Sequence, residues 1–207
     1  MSKLIFTHSV MNSGKSTTLL QRNHNMIQQG RKTFLISPSH DRRYGEGKIT
    51  SKIGDGVSAA SHSIKPLDSL YDAVCHANAT EGPLSAVFVD EAQFFTEEQV
   101  WDMTRVADEL EIAVYAFGLR VDAFGKLFPG SKALIEMADT IKTPDTDQEC
   151  FCGRPATMNM RFDEDGHTVR AGEVIQTGGD ERYRSVCRLH WREVQHISEC
   201  FAEDYID

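Results

Sequence analysis

The sequence predicts an α/β fold in which helices flank a parallel sheet. Between residues 3 and 143, short apolar runs alternate with amphipathic stretches, which is typical of strand-helix-strand units. A continuous apolar run at residues 84–89 is expected of a strand buried on both faces of such a sheet. A chain of 207 residues with 40% hydrophobic residues has room for one core and a small additional unit.

The individual elements follow from apolar periodicity and from capping residues. A helix over residues 16–29 should end at Gly30, and Thr96 with Gln99 has the spacing of a capping box that begins another helix. The other predicted segments are helices at 67–78 and 131–138, strands at 4–8, 33–37, 84–89, 112–117 and 140–143, an irregular β segment at 49–53, a loop at 118–130 and a linker at 144–147.

Charge and composition argue against several classes of protein. The chain has 22 Lys and Arg against 31 Asp and Glu, a net charge of −9, which disfavours a protein that mainly binds nucleic-acid backbone. No apolar run approaches 18 residues, and the first residues lack the pattern of a signal peptide, so we expect a cytoplasmic protein. In that compartment, five cysteines favour a metal site over disulfides.

The most informative motif lies between the first predicted strand and the first predicted helix. It has the pattern G-x4-G-K-[ST] with serine at the first glycine: Ser9, Val10, Met11, Asn12, Ser13, Gly14, Lys15, Ser16 and Thr17. In such a loop, backbone N–H groups bind phosphate, the lysine contacts the outer phosphates and the serine hydroxyl binds Mg²⁺. The alternative is an ordinary helix start with Ser13 as the N-cap.

Two acids directly follow the buried run at residues 84–89. Ligands of open parallel sheets bind beyond the carboxyl ends of the strands, so Asp90 should reach the same crevice as the loop and hold Mg²⁺. Glu91 could then accept the proton of an attacking hydroxyl or water. The two motifs together indicate an Mg·ATP site. Because residues 90–93 also resemble the strand-end box of helicase-type ATPases, a nucleic-acid-stimulated ATPase stays an alternative.

The last third of the chain carries a candidate zinc site. Cys150, Cys152, Cys187 and His190 form two short pairs separated by a predicted hairpin, and thiolates with imidazole suit tetrahedral zinc. Free thiols against a small core are the alternative, because only one residue separates the first two cysteines. A zinc-ribbon interaction module whose nucleotide site is only structural is the non-enzyme alternative. Between the pairs, Gly178 and Gly179 allow either a segment that covers a ligand or a plain hairpin turn.

Together these motifs resemble the thymidine kinase family of the type found in mammalian cytosol and many bacteria. The resemblance spans nearly the whole chain and rests on residues 11–17, 41–44, 89–94, 118–120, 152–154 with Ala156, 178–183, and 185–188 with His190. It implies a P-loop parallel-sheet (RecA-like) kinase domain over residues 1–143. A zinc-ribbon and lasso domain over residues 144–207 would close over the nucleoside.

The resemblance also implies the reaction, which is ATP-dependent 5'-phosphorylation of thymidine to thymidine monophosphate in deoxynucleotide salvage for DNA synthesis. Glu91 matches the general base, and residues 9–17 with Asp90, Gln93 and Arg43 match the ATP and Mg²⁺ site. Members of the family usually have an aromatic residue directly after an aspartate in this loop. Here Asp122 is followed by Ala123, and the aromatic residue comes next, at Phe124. The positions assigned to the thymidine pocket and its lasso loop are Met11, Phe94, Phe124, Val174, Gln176, Thr177, Gly178, Gly179 and Tyr183.

Cofactors and partners follow from the same resemblance. It implies Mg²⁺ with ATP, a structural zinc held by the Cys and His cluster, and feedback inhibition by thymidine triphosphate. It further implies a cytoplasmic homotetramer with neither nucleic acid nor membrane as a partner.

Overall fold

The computed structural model of the chain describes residues 2–39, 47–51, 57–144, 148–172 and 182–196. The strands in these ranges are β1 (Leu4–Ser9), β2 (Thr33–Pro38), β3 (Lys48–Thr50), β4 (Ser58–Ala60), β5 (His62–Ile64), β6 (Ala86–Val89), β7 (Ala113–Leu119), β8 (Thr140–Lys142), β9 (Met158–Arg161) and β10 (Tyr183–Val186). The helices are α1 (Lys15–Gln28), α2 (Leu70–Thr80), α3 (Glu97–Asp108), α4 (Pro129–Met137) and α5 (Arg188–His196), with a short 3-10 turn at Ala92–Phe94.

Six parallel strands form the central sheet, which confirms the predicted α/β class. Their order is β5-β2-β6-β7-β1-β8, and the neighbouring pairs run parallel. Strand β7 therefore lies between β1, which leads into the loop at residues 9–17, and β6, which ends before Asp90. Because the carboxyl ends of parallel strands share one edge, both segments reach the same edge of the sheet.

Helices cover both faces of this sheet. Strand β6 is buried at all four positions, as predicted for a strand covered on both sides. On one face, Met103 of α3 and Leu134 of α4 belong to the main core. On the other face, Leu19 of α1 packs with Phe88 and Phe117. Packing on both faces therefore restrains the strands, and with them the side chains at their carboxyl ends.

Capping residues decide where the helices begin. The capping box predicted at Thr96 and Gln99 is present at the start of α3. Helix α2 begins at Leu70, so its predicted start at residue 67 was wrong. The Ser69 hydroxyl accepts the N–H of Asp72 and caps the helix there, while Leu67 is 99% exposed. The predicted loop at 118–130 is also shorter, because β7 continues through residue 119 and α4 begins at residue 129.

The chain after residue 148 forms a small unit without the strand-helix rhythm, as expected. Strands β9 and β10 pair antiparallel, and α5 follows. Of the predicted irregular segment and linker, residues 52–53 and 145–147 lie outside the described residues. No helix in the described ranges is both long and apolar enough to cross a membrane. The core of the small unit also includes Val121 from the loop after β7, and its other buried residues are Cys150, Met158, Met160, Val186 and Cys187.

Gly130, in the first turn of α4, packs against the turn that follows Asp90. A Cβ atom there would lie 2.6 Å from the carbonyl oxygens of Ala92 and Phe95. Since backbone atoms cannot move aside easily, we expect Gly130→Ala to lower the free energy of unfolding by about 1–3 kcal/mol, measured by chemical denaturation. The control Lys132→Ala, on the exposed side of α4, should change it by less than about 0.5 kcal/mol. Equal losses in the two variants would contradict the steric explanation.

Candidate active site

Residues 9–17 form a tight loop between β1 and α1. Asn12 and Gly14 have left-handed backbones, with φ of 58° and 74°. Glycine adopts this conformation readily, and asparagine does so more easily than most residues. The Ser13 hydroxyl donates to the Val10 carbonyl at 2.9 Å, and Gly14 is the N-cap of α1. The alternative of a Ser13 N-cap is therefore wrong.

The Lys15 ammonium group lies within this loop. The residue is only 9% exposed, and its Nζ donates to the Val10 carbonyl at 2.5 Å and to the Ser13 hydroxyl at 3.3 Å. The N-terminus of α1 begins at the same residue and adds the positive end of the helix dipole. A cation and a helix N-terminus together favour the binding of an anion such as phosphate.

Ser16 joins this loop to the acidic end of β6. Its hydroxyl donates to Asp90 Oδ2 at 2.9 Å, although the two residues are 74 positions apart in the chain. A hydroxyl oxygen and a carboxylate oxygen at this distance are suitable ligands for Mg²⁺. The structure thus brings the two sequence motifs together.

The surroundings of Asp90 disfavour its charged form. Burial raises the pKa of Asp90 to about 7, and the adjacent charge of Glu91 adds to this rise. The hydrogen bond from Ser16 and the positive charge of Lys15 act in the opposite direction. A divalent cation at this position would compete with the proton, because both stabilise the same buried carboxylate.

Glu91 is held by a buried amide. Its backbone is left-handed, with φ of 48°, where the chain turns out of β6. Gln93 Nε2 donates to Glu91 Oε2 at 2.5 Å, while Gln93 Oε1 accepts the N–H of Leu119 at 2.9 Å. Gln93 is 1% exposed, and a Cβ atom on Gly118 would lie 2.6 Å from its Oε1. Both ends of the amide thus have partners, and through them Gln93 connects the Glu91 carboxylate to the end of β7.

Several aromatic side chains lie near the residues predicted to bind the nucleoside. Phe94 is half-buried. Its ring packs edge-to-face with the ring of Phe128, with centroids 5.7 Å apart. The guanidinium of Arg161 lies 5.1 Å from the centre of the Phe124 ring, and Arg161 pairs with Tyr183 across the β9–β10 hairpin. Sequence reasoning missed Phe128 and Arg161, because one apolar residue in a loop and one arginine in a strand form no pattern.

The backbone of Met11 is bound to the small unit. Its N–H donates to Asn159 Oδ1 at 3.0 Å, and its carbonyl accepts the Ser185 hydroxyl at 2.9 Å. Sequence reasoning also missed Asn159, since a lone asparagine in a strand carries no signal, and it gave Ser185 no role. The predicted site residues that lie outside the described ranges are Arg43, Val174, Gln176, Thr177, Gly178 and Gly179.

The predicted zinc ligands form a compact cluster. His190 Nδ1 lies 3.2 Å from Cys150 Sγ and 3.5 Å from Cys187 Sγ, and Cys152 Sγ lies 3.9 Å from Cys187 Sγ. Tetrahedral zinc with ordinary bond lengths separates two sulfur ligands by about 3.8 Å, and a sulfur from a nitrogen by about 3.5 Å. The donor atoms therefore have spacing that suits zinc, even with one residue between the first two cysteines.

Helix α5 connects this cluster to the loop that carries Phe124. The ring of Phe151 stacks on His190, with centroids 4.3 Å apart. The next residue, Trp191, donates its indole N–H to the Ala123 carbonyl at 2.9 Å. A Cβ atom on Gly125 would lie 2.8 Å from the Trp191 ring, so only glycine allows this close approach. Helix α5 thus joins the Cys and His cluster directly to the loop that carries Ala123 and Phe124.

The pKa of Asp90 predicts a pH-dependent stability in the absence of Mg²⁺. The folded protein binds this proton more tightly than the unfolded chain, so the free energy of unfolding falls as pH rises from 3.8 to about 7. Asp90→Asn removes the charge and keeps an acceptor for Ser16. We expect this variant to be more stable at pH 8 by up to about 4 kcal/mol, with the gain disappearing toward pH 4. Denaturant unfolding across this range measures the gain, and a pH-independent effect would contradict it.

Comparison with known proteins points to one family. The family model described as thymidine kinase matches residues 2–191. The thymidine kinase of Ruegeria pomeroyi is 47% identical and covers 93% of this chain and 95% of its own length. Those of Jannaschia sp. and Rhodopirellula baltica are 45% and 47% identical, each over 93% of this chain and over 96% and 89% of their own lengths. Matched over nearly its whole length, the chain belongs to the thymidine kinase family.

Proposed function

We propose that Glu91 is the general base in the transfer of the γ-phosphoryl group of ATP to the 5'-hydroxyl of thymidine. As a member of its family, the protein phosphorylates thymidine with ATP in nucleotide salvage. The observation that supports the residue assignment best is the Ser16–Asp90 hydrogen bond, which joins the phosphate loop to the acids at the end of β6. A phosphate-binding loop, a cation site and a proton acceptor then lie at one edge of the sheet.

In this reaction, Glu91 accepts the proton of the 5'-hydroxyl while that oxygen forms a bond to the γ-phosphorus. The bond from the γ-phosphorus to the bridging oxygen breaks, and ADP leaves with the electron pair. Such a transfer depends mainly on positioning and on neutralising charge. Lys15 and the backbone N–H groups of residues 9–17 bind the phosphates, and Arg43 contributes near them.

Two carboxylates are candidates for the base, and their surroundings separate them. The pKa of Asp90, near 7, would suit a base, but its oxygen accepts the Ser16 hydroxyl and the residue is 7% exposed. Asp90 and Ser16 are better suited to hold Mg²⁺, which supplies positive charge to the β- and γ-phosphates when it binds with ATP. Glu91 is half-buried and oriented by Gln93, which supports its assignment as the acid that takes the proton of the acceptor hydroxyl.

Gln93 acts through Glu91 in this proposal. Both ends of its buried amide have partners in the protein, which favours a positioning role over direct contact with ATP or Mg²⁺. The nucleoside binds between a kinase domain at residues 1–143 and a lasso domain at residues 144–207. Its proposed contacts are Met11, Phe94, Phe124, Val174, Gln176, Thr177, Gly178, Gly179 and Tyr183.

Glu91→Gln tests the proposed base. The amide keeps the size of the side chain but cannot accept a proton, so we expect kcat to fall by about 10²-fold or more while ATP binding is unchanged. The measurement is ADP release from Mg·ATP in parallel reactions with no addition, thymidine, other nucleosides or single-stranded DNA. Turnover in the unchanged protein should require thymidine and yield thymidine monophosphate.

The control for this substitution is Glu97→Gln, an exposed acid in the first turn of α3, which should keep full turnover. Normal turnover in Glu91→Gln would remove Glu91 from the mechanism. ADP release that rises with DNA alone would instead favour a nucleic-acid-stimulated ATPase, and no release under any condition would leave a binding module.

We also propose that Cys150, Cys152, Cys187 and His190 hold a structural zinc ion. The support is the tetrahedral spacing of their donor atoms and the small core around them, in which Cys150 and Cys187 are buried. A metal bound there adds folding free energy that so small a core supplies poorly.

Removal of one ligand tests the zinc site. We expect the unchanged protein to contain about one zinc ion per chain and Cys187→Ser to lose most of it, with a lower melting temperature. Cys75→Ser makes the same substitution outside the cluster and should keep both the zinc ion and the melting temperature of the unchanged protein. Metal analysis by mass spectrometry and thermal unfolding provide the measurements. Purified protein without zinc would disprove the site and leave the kinase assignment unaffected.

The remaining proposals concern regulation and assembly. Thymidine triphosphate carries the same nucleoside and a phosphate chain, so it fits the combined site as a feedback inhibitor. The net charge of −9 supports a protein without a nucleic-acid partner. A cytoplasmic homotetramer is the assembly that we propose for this chain.

A further inference from the structure

Two side chains of the β9–β10 hairpin hold the backbone of the phosphate loop at Met11. Asn159 accepts the Met11 N–H at 3.0 Å, and the Ser185 hydroxyl donates to the Met11 carbonyl at 2.9 Å. Asn159 and Ser185 stand directly opposite each other in the antiparallel register. We call these two side chains the Met11 clamp.

The clamp is the polar connection between the loop and the hairpin at this point. Asn159 is 3% exposed and its bond to the Met11 N–H is partly buried, so losing this bond would leave a partly buried N–H group without this partner. A cavity of about 80 Å³ lies beside it, lined on one side by Ser9 and Val10 and on the other by Ala156 and Thr157. The two hydrogen bonds of the clamp join the loop to the hairpin beside this cavity.

One peptide group connects the clamp to the phosphate-binding side. The carbonyl of Val10 accepts Lys15 Nζ and the Ser13 hydroxyl, and the N–H of the same peptide group is the one that Asn159 accepts. Hydrogen bonds at the two ends of a peptide group polarise each other. The loop then turns through Asn12, whose backbone is left-handed with φ of 58°.

The clamp also shares a face of the hairpin with the nucleoside side of the site. Residues two apart in a strand point to the same face, so Ser185 lies with Tyr183, and Asn159 lies with Arg161. The Arg161 guanidinium is stacked on the ring of Phe124. A ligand that orders Tyr183 and Phe124 therefore acts on the same hairpin that holds Met11.

We propose that the Met11 clamp makes nucleotide binding and nucleoside binding cooperative. ATP orders the loop from the phosphate side, thymidine orders the hairpin from the other side, and both stabilise one loop–hairpin contact. Each ligand then binds more tightly when the other is present. Asn159 and Ser185 are positioning residues in this proposal, which rests on the proposed ATP and thymidine sites.

Calorimetric titration of thymidine tests the clamp directly. The titration is carried out on the protein alone and on the protein saturated with Mg²⁺ and a non-hydrolysable ATP analogue. In the unchanged protein, we expect the analogue to lower the thymidine Kd by about fivefold or more. In Ser185→Ala and in Asn159→Ala, we expect the two Kd values to agree within about twofold, since the shared contact is lost.

Two further variants separate coupling from general damage. Ser185→Thr keeps the hydroxyl and should keep the ratio between the thymidine Kd values measured without and with the ATP analogue. Thr80→Ala removes a hydroxyl that donates to the His76 carbonyl in α2, remote from the loop, and should leave the same ratio unchanged. If Asn159→Ala does not fold, Ser185→Ala decides, because it deletes a single oxygen atom from an otherwise unchanged hairpin.

The outcomes are distinct. A ratio near one in the unchanged protein, or the same ratio in Ser185→Ala, would overturn the proposal. So would a ratio that changes only when light scattering reports a different assembly size. The ADP-release assay separates this failure from that of the proposed function. If the protein phosphorylates thymidine but binds the two ligands without cooperativity, only the clamp proposal is refuted.

Discussion

Parallel strands that end at one edge of a sheet are the constraint on which this enzyme depends. Because β1 and β6 are separated by one strand, the hydroxyl of Ser16 can reach the carboxylate of Asp90 across the gap. The end of the intervening β7 supplies the Leu119 N–H that holds Gln93, and Gln93 in turn holds Glu91. The phosphate loop, the proposed cation ligands and the proposed base therefore keep their relative positions through the order of the strands in the sheet.

Local patterns in the sequence predicted most of what depends on local chemistry. The phosphate loop, the capping box at Thr96 and the two pairs of the Cys and His cluster each carry a motif of short range. Contacts between strands that are distant in the sequence had no such short-range motif. The pairing of Asn159 with Ser185, and the bond of each to Met11, depends on register within a hairpin and on how the hairpin meets the sheet, and neither is encoded within a short window. The start of α2 was misplaced because apolar Leu67 precedes the capping Ser69.

The small unit is connected to the sheet by contacts that differ in kind, and besides the packing of Val121 in its core, three of them involve named polar or aromatic groups. Met11 is held by hydrogen bonds to its backbone, Ala123 by the indole of Trp191, and Phe124 by the guanidinium of Arg161. All three lie on segments next to the predicted substrates, whereas the unit's own buried core is small. Its position thus depends on the loops that it covers, so order in the site and order in the small unit are linked.

The close approach of Gly118 to Gln93 has a consequence for directed evolution. Any side chain at position 118 would collide with the amide that orients Glu91, whatever its polarity. Saturation libraries that include this position would recover inactive clones for a reason unrelated to nucleoside choice. Selections for altered nucleoside choice are better directed at positions such as Phe124, whose half-buried ring lies on the proposed nucleoside side of the site.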